Sequence, residues 1–383
     1  MKPRLVILTE IISPYRIPLF NSLAQHAEVD LHVIFLAETD PTLRQWQIYK
    51  EEIRFSHQIL PSFRKRVGRY NVLLNRGVVR ALAVAAPDVI LCGGYSYVAS
   101  WQCLAWARAH RIPFFLWSES NAQDQRRGHS LVESLKTKFL RNCSGIVVPG
   151  RSAREYLRGH RIDESTIFTA PNAVDNDLFA SAAAAARQNE TAVRRELALP
   201  ERYFLFVGRL VREKGVFELL LAYAKLDESM RREVGLVLVG DGECRQALQE
   251  QGSAVSPGVV RFAGFAQREQ LAVYYALAET LILPTYTDTW GLVVNEAMAC
   301  GLPVILSRAA GSAADLVMEN WNGLLVDPKD VSSLMLAMRT IADQPGLRAT
   351  MRANSAQHIA RYSPGEWSSG IVRMIHATKG RHD

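Results

Sequence analysis

The chain has 383 residues, 48% apolar and 22% charged, ordinary globular proportions that exclude collagen-like, coiled-coil and largely disordered organisation. At roughly 150 residues per domain, the length predicts two or three domains with enough chain to bury a core unaided by disulfides or metals. The net charge of +7 is unevenly spread: residues 1–160 hold 22 Lys/Arg against 12 Asp/Glu, and the remainder 23 against 26. Such asymmetry points to an anionic partner for the first half, nucleic acid or an anionic membrane surface, with solvated charged faces as the alternative.

Taken in chain order, short apolar runs rich in Val, Ile and Leu alternate with helical patterns. Met1–Glu10 contains only a four-residue apolar run, too short for a secretory leader. Arg4–Leu8, Leu31–Leu36, Val89–Cys92, Pro113–Trp117 and Gly145–Val148 read as strands buried on both faces, because their hydrophobicity is continuous rather than alternating. Pro18–His26, Gly77–Ala85 and Tyr97–His110 read as the helices between them. The apolar stretch around Leu82–Tyr97 is cut by Asp88 and Gly93-Gly94, so no membrane span is expected. Ala180–Glu190 is low in complexity and reads as a linker or a loosely packed helix.

The pattern then restarts. Tyr203–Val207, Gly235–Val239, Val259–Phe262, Thr280–Leu283 and Pro303–Leu306 are the second set of strands. Val216–Lys225, Cys244–Gln251, Arg268–Leu277, Val294–Ala299 and Ser332–Ala342 are the helices separating them. The chain is therefore expected to be α/β, with two doubly wound Rossmann-like domains facing across a cleft. The expected boundaries are 1–180, a linker over 181–199, a second domain over 200–360, and a C-terminal helix over 361–383 returning toward the first domain. Five Cys (Cys92, Cys103, Cys143, Cys244, Cys300) form no Cys-x-x-Cys pair and fit the core of a reduced, cytosolic protein.

Two segments carry chemistry. In Val207-Gly-Arg-Leu-Val-Arg-Glu-Lys-Gly215 a strand passes into a helix. Gly208 permits close approach there, and Arg209 and Lys214 can both face a phosphate pair, one as a fork and one as a compact charge. An ordinary basic turn is the alternative. In Pro284–Val304, Asp288 ends a polar loop, Gly291-Leu292 leads into a helix, and Glu296 follows eight residues after Asp288, about two helical turns. Glu296 lies among Val293, Val294, Ala297 and Met298, and a buried carboxylate needs a partner, which sugar hydroxyls can supply. A capping Asp and a structural Glu are the alternative.

Gly-Arg-Leu…Glu-Lys-Gly, followed by an acidic-x7-Glu element that ends Glu-Ala-Met-Ala-Cys-Gly-Leu-Pro-Val, resembles the nucleotide-sugar-dependent glycosyltransferases of family 4, which are retaining enzymes with the GT-B fold. Ala170-Pro-Asn-Ala-Val-Asp-Asn-Asp-Leu-Phe179, Val239-Gly-Asp-Gly-Glu243 and Val260–Phe265 resemble further elements of that family in the same order. The likeness is close over residues 170–328 and mainly one of pattern over 1–169, where Ile12–Phe20 is similar to a first-loop element of some members.

The resemblance implies that Arg209 and Lys214 hold the donor diphosphate and Glu296 binds the ribose hydroxyls. Gly208, Gly291 and Leu292 would bring backbone close to phosphates or sugar, and Phe265 and Ala266 would lie near the base. Asp288 stands where the family usually has Glu, beside the transferred sugar, and is one methylene shorter. No cofactor and no metal are expected: Asp175-Asn-Asp177 has metal-like spacing but belongs to the Pro-Asn-x-Val-Asp element.

The first domain would take the acceptor, a glycan or lipid-linked glycan, with Tyr15, Arg16, Ser118, Glu119 and Asn121 as contacts at the ends of the first and fourth strands. Phe63–Arg80 carries six bases and no acid, and Arg126–Arg141 sets Leu131, Leu135 and Phe139 four apart beside Lys136, Lys138 and Arg141. Arg126–Arg141 thus has the pattern of a basic helix lying on an anionic bilayer, a core-facing helix with a solvated basic side being the alternative. The expected location is the cytoplasm at the inner face of the cytoplasmic membrane, in cell-surface polysaccharide synthesis, without nucleic acid. A nucleotide-sugar epimerase of the same architecture does not fit the acidic-x7-Glu element. A dinucleotide dehydrogenase would want Gly-x-Gly-x-x-Gly after its first strand. A non-catalytic nucleotide-sugar module has only Asp288 in its favour.

Overall fold

The structure is a computed structural model that describes residues 2–40, 46–67, 70–122 and 130–379. It divides into two compact units, Met1–Val174 with Pro364–Asp383, and Asp175–Ser363.

The first unit contains β1 (Arg4–Thr9), β2 (Asp30–Phe35), β3 (Ser56–Ile59), β4 (Ser62–Val67), β5 (Tyr70–Asn75), β6 (Val89–Cys92), β7 (Phe114–Trp117), β8 (Gly145–Val148) and β9 (Ile167–Thr169). Seven of them form a parallel sheet in the order β3-β2-β1-β6-β7-β8-β9, while β4 and β5 pair as a separate antiparallel hairpin. All of β6, β7 and β8 is buried, which is why those runs are apolar at every position rather than at alternate ones. Along β1 the pleat sends Val6 and Leu8 into the core on one face of the sheet, and Leu5 and Ile7 into the core on the other. The C-terminal helix Pro364–Lys379 closes the second of these cores. Trp367 is fully buried there, its ring 5.8 Å from Phe20 and 5.3 Å from Trp117.

The second unit contains β10 (Arg202–Val207), β11 (Val234–Val239), β12 (Val260–Gly264), β13 (Thr280–Leu283), β14 (Val304–Ser307) and β15 (Gly323–Val326) in one parallel sheet. Its order is β12-β11-β10-β13-β14-β15. The chain winds outward from β10 to one edge, then returns to its other side at β13. In open α/β sheets that reversal opens a crevice at the carboxyl ends of the two central strands, where ligands bind. The corresponding reversal in the first sheet lies between β1 and β6.

Each expected strand falls on an observed one, with bounds that coincide or shift by at most two residues. The strands not foreseen are β3, β9 and β15 at sheet edges, together with the hairpin. Ser56-His-Gln-Ile59 and the three residues of β9 are short, and β3 is largely exposed, so neither shows the continuous apolar run of a central strand.

The expected linker over 181–199 is corrected. Asn176–Gln188 is a helix and Glu190–Glu196 a second, and both belong to the second unit. Phe179, Ala183 and Ala186 are buried at i, i+4 and i+7, and Phe179 meets Tyr275 edge-on at 6.3 Å. Most of this helix's core-facing stripe is alanine, which made it look featureless. The units part at Val174/Asp175, and the second ends at Ser363, not at 360.

Candidate functional site

At the carboxyl end of β10 the backbone leaves through Gly208 (φ +153°), passes Arg209, makes a tight turn over Arg212–Lys214 and enters the helix Val216–Ala224 at Gly215 (φ +68°). The left-handed φ at Gly215 suits glycine, and a Cβ there would also lie 2.1 Å from the Pro284 carbonyl oxygen. The loop after β13 is therefore in direct backbone contact with the loop after β10. The Tyr286 amide and the Thr285 hydroxyl both donate to the Glu213 carbonyl, at 2.8 and 2.9 Å.

A second close crossing joins the loop after β11. A Cβ on Gly240 (φ +135°) would sit 1.9 Å from the Gly208 carbonyl oxygen, and one on Gly242 would sit 2.5 Å from that of Leu210. The Leu210 amide donates to the Asp241 carbonyl at 2.9 Å. Three strand ends are thus knitted chiefly by backbone, so the side chains they carry start from a fixed base.

On that base the Lys214 ammonium donates to Asp288 Oδ2, and both side chains are 15% exposed. Asp288 is held from several sides. Its backbone bridges to Ala310, its carbonyl accepts from the Gly311 amide at 3.0 Å, and its Oδ1 accepts from the Trp290 amide at 3.3 Å. Arg209, in the same loop as Lys214, is exposed. The helices Val216–Ala224 and Leu292–Ala299 start at Gly215 and Gly291, and neither start carries a side-chain cap. Their first amides, with the positive ends of the helix dipoles, add to the two cations.

Gly291 (φ +89°) brings Leu292 to the start of its helix, and a Cβ on Gly291 would lie 3.5 Å from Asp288 Oδ2. Glu296, further along the same helix, accepts from the Tyr275 hydroxyl at 2.7 Å. Burial pushes the Glu296 carboxyl up to about 7 against the opposing pull of that hydrogen bond, while burial and the nearby carboxyl push Tyr275 well above its ordinary range.

The structure therefore brings Gly208, Arg209, Lys214, Asp288, Gly291, Leu292 and Glu296 onto the loops and helix starts beside the reversal of strand order. Phe265 and Ala266 follow β12, the edge strand, two strands away from β10. Phe265 is 43% exposed and Ala266 is buried. The sequence did not single out Tyr275, and it marked Gly240 and Gly242 only as part of the Val239–Glu243 element, with no role at the site. The Gly240-Asp-Gly242 turn after a strand was the available signal for the glycines.

In the first unit, Arg16 donates to Thr9 Oγ1 at 2.7 Å, lies 3.7 Å from Glu119 Oε1, and sets its guanidinium 4.4 Å from the Trp117 ring centre. Tyr15 meets Trp46 edge-on at 5.7 Å. Ser118 and Asn121 are buried beside them in the chain, after β7. Arg16 and Glu119 are thus brought together, with Tyr15 adjacent.

Arg64 from the hairpin adds a cluster that was not foreseen, donating to Asp40 Oδ2 at 2.5 Å and lying 3.4 Å from Glu10 Oε1. Burial and the Glu10 carboxylate raise the Tyr97 hydroxyl beside it.

The basic run Phe63–Arg80, for which the sequence predicted no element before Gly77, includes the β4–β5 hairpin. Only Ser130–Arg141 of the expected basic helix is described, and its stripe is unevenly covered: Leu135 is 51% exposed, whereas Phe139, one turn on, is fully buried against Trp101 and Phe114. Residues 126–129 and the side chain of Leu131 lie outside the described residues. Asp175 caps the helix Asn176–Gln188, accepting from the Leu178 amide at 3.0 Å. Among the described residues there is no group of three or more His, Cys, Asp or Glu placed to hold a metal, and no helix is long and apolar enough to cross a membrane.

Residues 188–358 match the family model described as Glycosyl transferases group 1, and residues 19–178 match that described as Glycosyltransferase Family 4. The chain belongs to glycosyltransferase family 4. A D-inositol 3-phosphate glycosyltransferase of Thermomonospora curvata is 26% identical over 242 residues, covering 60% of this chain and 55% of that one. A second, from Catenulispora acidiphila, is 31% identical over 233 residues, covering 57% and 52%. The chain thus spans about half the length of the curated relatives it matches. The crystal structure of Anabaena HepE in complex with UDP and glucose superposes with a TM-score of 0.75 at 18% identity, covering 98% of this chain and 100% of that one. The shared fold is GT-B, with two Rossmann-like parallel sheets.

Proposed function

We propose that this chain transfers a sugar from a nucleotide diphosphate sugar, UDP- or GDP-linked, to a glycan or lipid-linked glycan with retention of anomeric configuration. The reading places it at the inner face of the cytoplasmic membrane, in cell-surface polysaccharide synthesis. The observation that carries the reading is the Lys214–Asp288 pair at the reversal of strand order, with Arg209 in the same loop. The UDP and glucose bound by HepE support a UDP-linked hexose as donor.

In the reaction the anomeric carbon–oxygen bond to the diphosphate breaks and a bond to the acceptor oxygen forms. The acceptor's proton leaves with the diphosphate. Negative charge grows on the leaving group, where Arg209, Lys214 and the two uncapped helix starts meet it. These cations take the counter-charge role, so the reaction needs no metal. Glu296 accepts from the ribose hydroxyls, Asp288 lies beside the transferred sugar, and the Gly291 and Leu292 amides face the phosphates or sugar. Phe265 and Ala266 border the base, while Tyr15, Arg16, Ser118, Glu119 and Asn121 receive the acceptor.

The test is a thermal-shift panel with UDP, GDP, ADP and NAD. A ligand at about 100 times its dissociation constant adds roughly 2.7 kcal/mol of stability. A shift with UDP or GDP alone is the expected result and names the donor base. A shift with NAD alone overturns the reading.

A further inference from the structure

The β4–β5 hairpin belongs to neither parallel sheet, and its register fixes what its two faces carry. Phe63 lies opposite Leu74, Arg64 opposite Leu73 and Lys65 opposite Val72. Since side chains alternate along a strand, Arg64, Leu73 and Asn75 share one face, and Phe63, Lys65, Val72 and Leu74 share the other.

The first face is tied down. Leu73 is 2% exposed, Arg64 reaches Asp40 and Glu10, and the Asn75 amide donates to the Leu36 carbonyl at 2.5 Å. On the second face Phe63 is 63% exposed, Leu74 45% and Val72 36%, with Lys65 exposed among them. Three large apolar side chains side by side in water form the kind of patch that marks an interaction surface.

Charge identifies the occupant. The segment Phe63–Arg80 holds six Lys/Arg and no acid, and residues 1–160 carry a net +10. Arg64 is spent on Asp40 and Glu10, but Lys65 stands exposed on the outer face. An apolar strip with an exposed ammonium, on a segment of net positive charge, matches an anionic bilayer, where apolar side chains enter the acyl boundary and the ammonium meets lipid phosphates.

We propose that the outer face of this hairpin, with Phe63, Val72 and Leu74 as the inserting residues and Lys65 as the phosphate contact, docks the first unit onto an anionic lipid surface. The proposal deepens the membrane-surface reading above and rests on it for the source of the acceptor. It also moves the contact from the helix Ser130–Arg141 to the hairpin. The inner face of the same hairpin reaches Glu10 through Arg64, just past the carboxyl end of β1. Docking therefore sets the reversal point of the first sheet next to the lipid.

The full chain is to be sedimented with vesicles of phosphatidylcholine alone and of phosphatidylcholine with a minority of phosphatidylglycerol. Expected are binding to the anionic vesicles, little to the neutral ones, weakening with salt, and a loss of about 10-fold or more in the doubly substituted Phe63→Asp/Leu74→Asp chain. Lys65→Glu, a single exposed change, should weaken binding without disturbing the fold, and the thermal shift with UDP or GDP should persist in both variants. Wild-type binding retained by both variants, equal binding to neutral vesicles, or no vesicle binding at all overturns the proposal. So does a concentration-dependent dimer abolished by Phe63→Asp/Leu74→Asp, which would make a second copy the occupant. Vesicle binding without any nucleotide shift would instead remove the transferase reading and leave the docking face standing.

Discussion

The Lys214 ammonium donates to Asp288 Oδ2, and this one pair joins the loop after β10 to the loop after β13 where the strand order of the second sheet reverses. Neither residue is fully buried, so an incoming anion can compete with Asp288 for the lysine. Lys214→Ala removes both the ion pair and a diphosphate contact. Loss of one such contact is expected to lower the transfer rate on the order of 10²–10³. Arg209→Ala, at an exposed position, should raise the donor dissociation constant while the melting temperature stays put. Unchanged donor affinity in Arg209→Ala would remove that residue from the diphosphate site.

Asp288→Asn separates the two roles of the pair. It keeps the side chain's size and its bond from the Trp290 amide, but strips Lys214 of its counter-charge. Stability should fall by about 1–3 kcal/mol in thermal unfolding. UDP or GDP should bind at least as tightly, because the ammonium no longer has an internal competitor, while transfer drops. Donor binding weakened as much as in Lys214→Ala would instead mean that Asp288 itself holds the donor.

The difference between what the sequence disclosed and what it hid follows from the range of the forces involved. Arg209, Lys214, Asp288 and Glu296 were legible because each sits in a strand–loop–helix passage whose local pattern is continuous along the chain. Tyr275 was not, because it lies 21 residues before Glu296 on a helix whose apolar spacing is that of any core helix. Its hydroxyl meets the carboxylate only through tertiary packing. The hairpin escaped for another reason: Arg64, Lys65 and Arg66 follow one another between Phe63 and Val67, and a charge run masks period-two alternation. The alanine stripe of Asn176–Gln188 was equally silent, since small side chains give little hydrophobic contrast.

Backbone crossings make a prediction independent of charge. A Cβ on Gly240 would lie 1.9 Å from the Gly208 carbonyl, and its φ of +135° disfavours any L side chain. Gly240→Ala should therefore lose about 1–3 kcal/mol or more and, by displacing the Gly208–Lys214 loop, weaken donor binding. Gly346, in the helix Pro345–Ile359, is the control, because a Cβ there would meet nothing within 4 Å. Gly346→Ala should stabilise by about 0.5–1 kcal/mol. Equal effects from the two substitutions would show that the crossing is not tight in solution.

If Arg209 and Lys214 supply the counter-charge for the leaving diphosphate, transfer should proceed at its full rate in EDTA. Added magnesium or manganese should change it less than about 2-fold, a small fraction of what one lost electrostatic contact costs. An activity abolished by the chelator and restored by a divalent cation would transfer that role to a metal.

Glu296 supplies the pH dependence. Its carboxyl is raised from 4.5 to about 7 in the folded chain, chiefly by burial. The unfolded chain releases this proton near 4.5 and the folded chain near 7, so between those values the folded state binds more protons. Stability then falls as pH rises through that window and levels off above it, a loss of about 3 kcal/mol for a shift of this size. Glu296→Gln keeps a neutral acceptor for the Tyr275 hydroxyl and removes the titration. Unfolding followed at pH 4.5 and pH 8 should show the variant gaining on the wild type at the higher pH. Donor binding should run the other way. A carboxylate accepts hydroxyl protons better than a carboxylic acid, so wild-type affinity should tighten from pH 6 to pH 8, and Glu296→Gln should bind more weakly with a flat profile. A wild-type affinity that does not change over that range would separate Glu296 from the ribose.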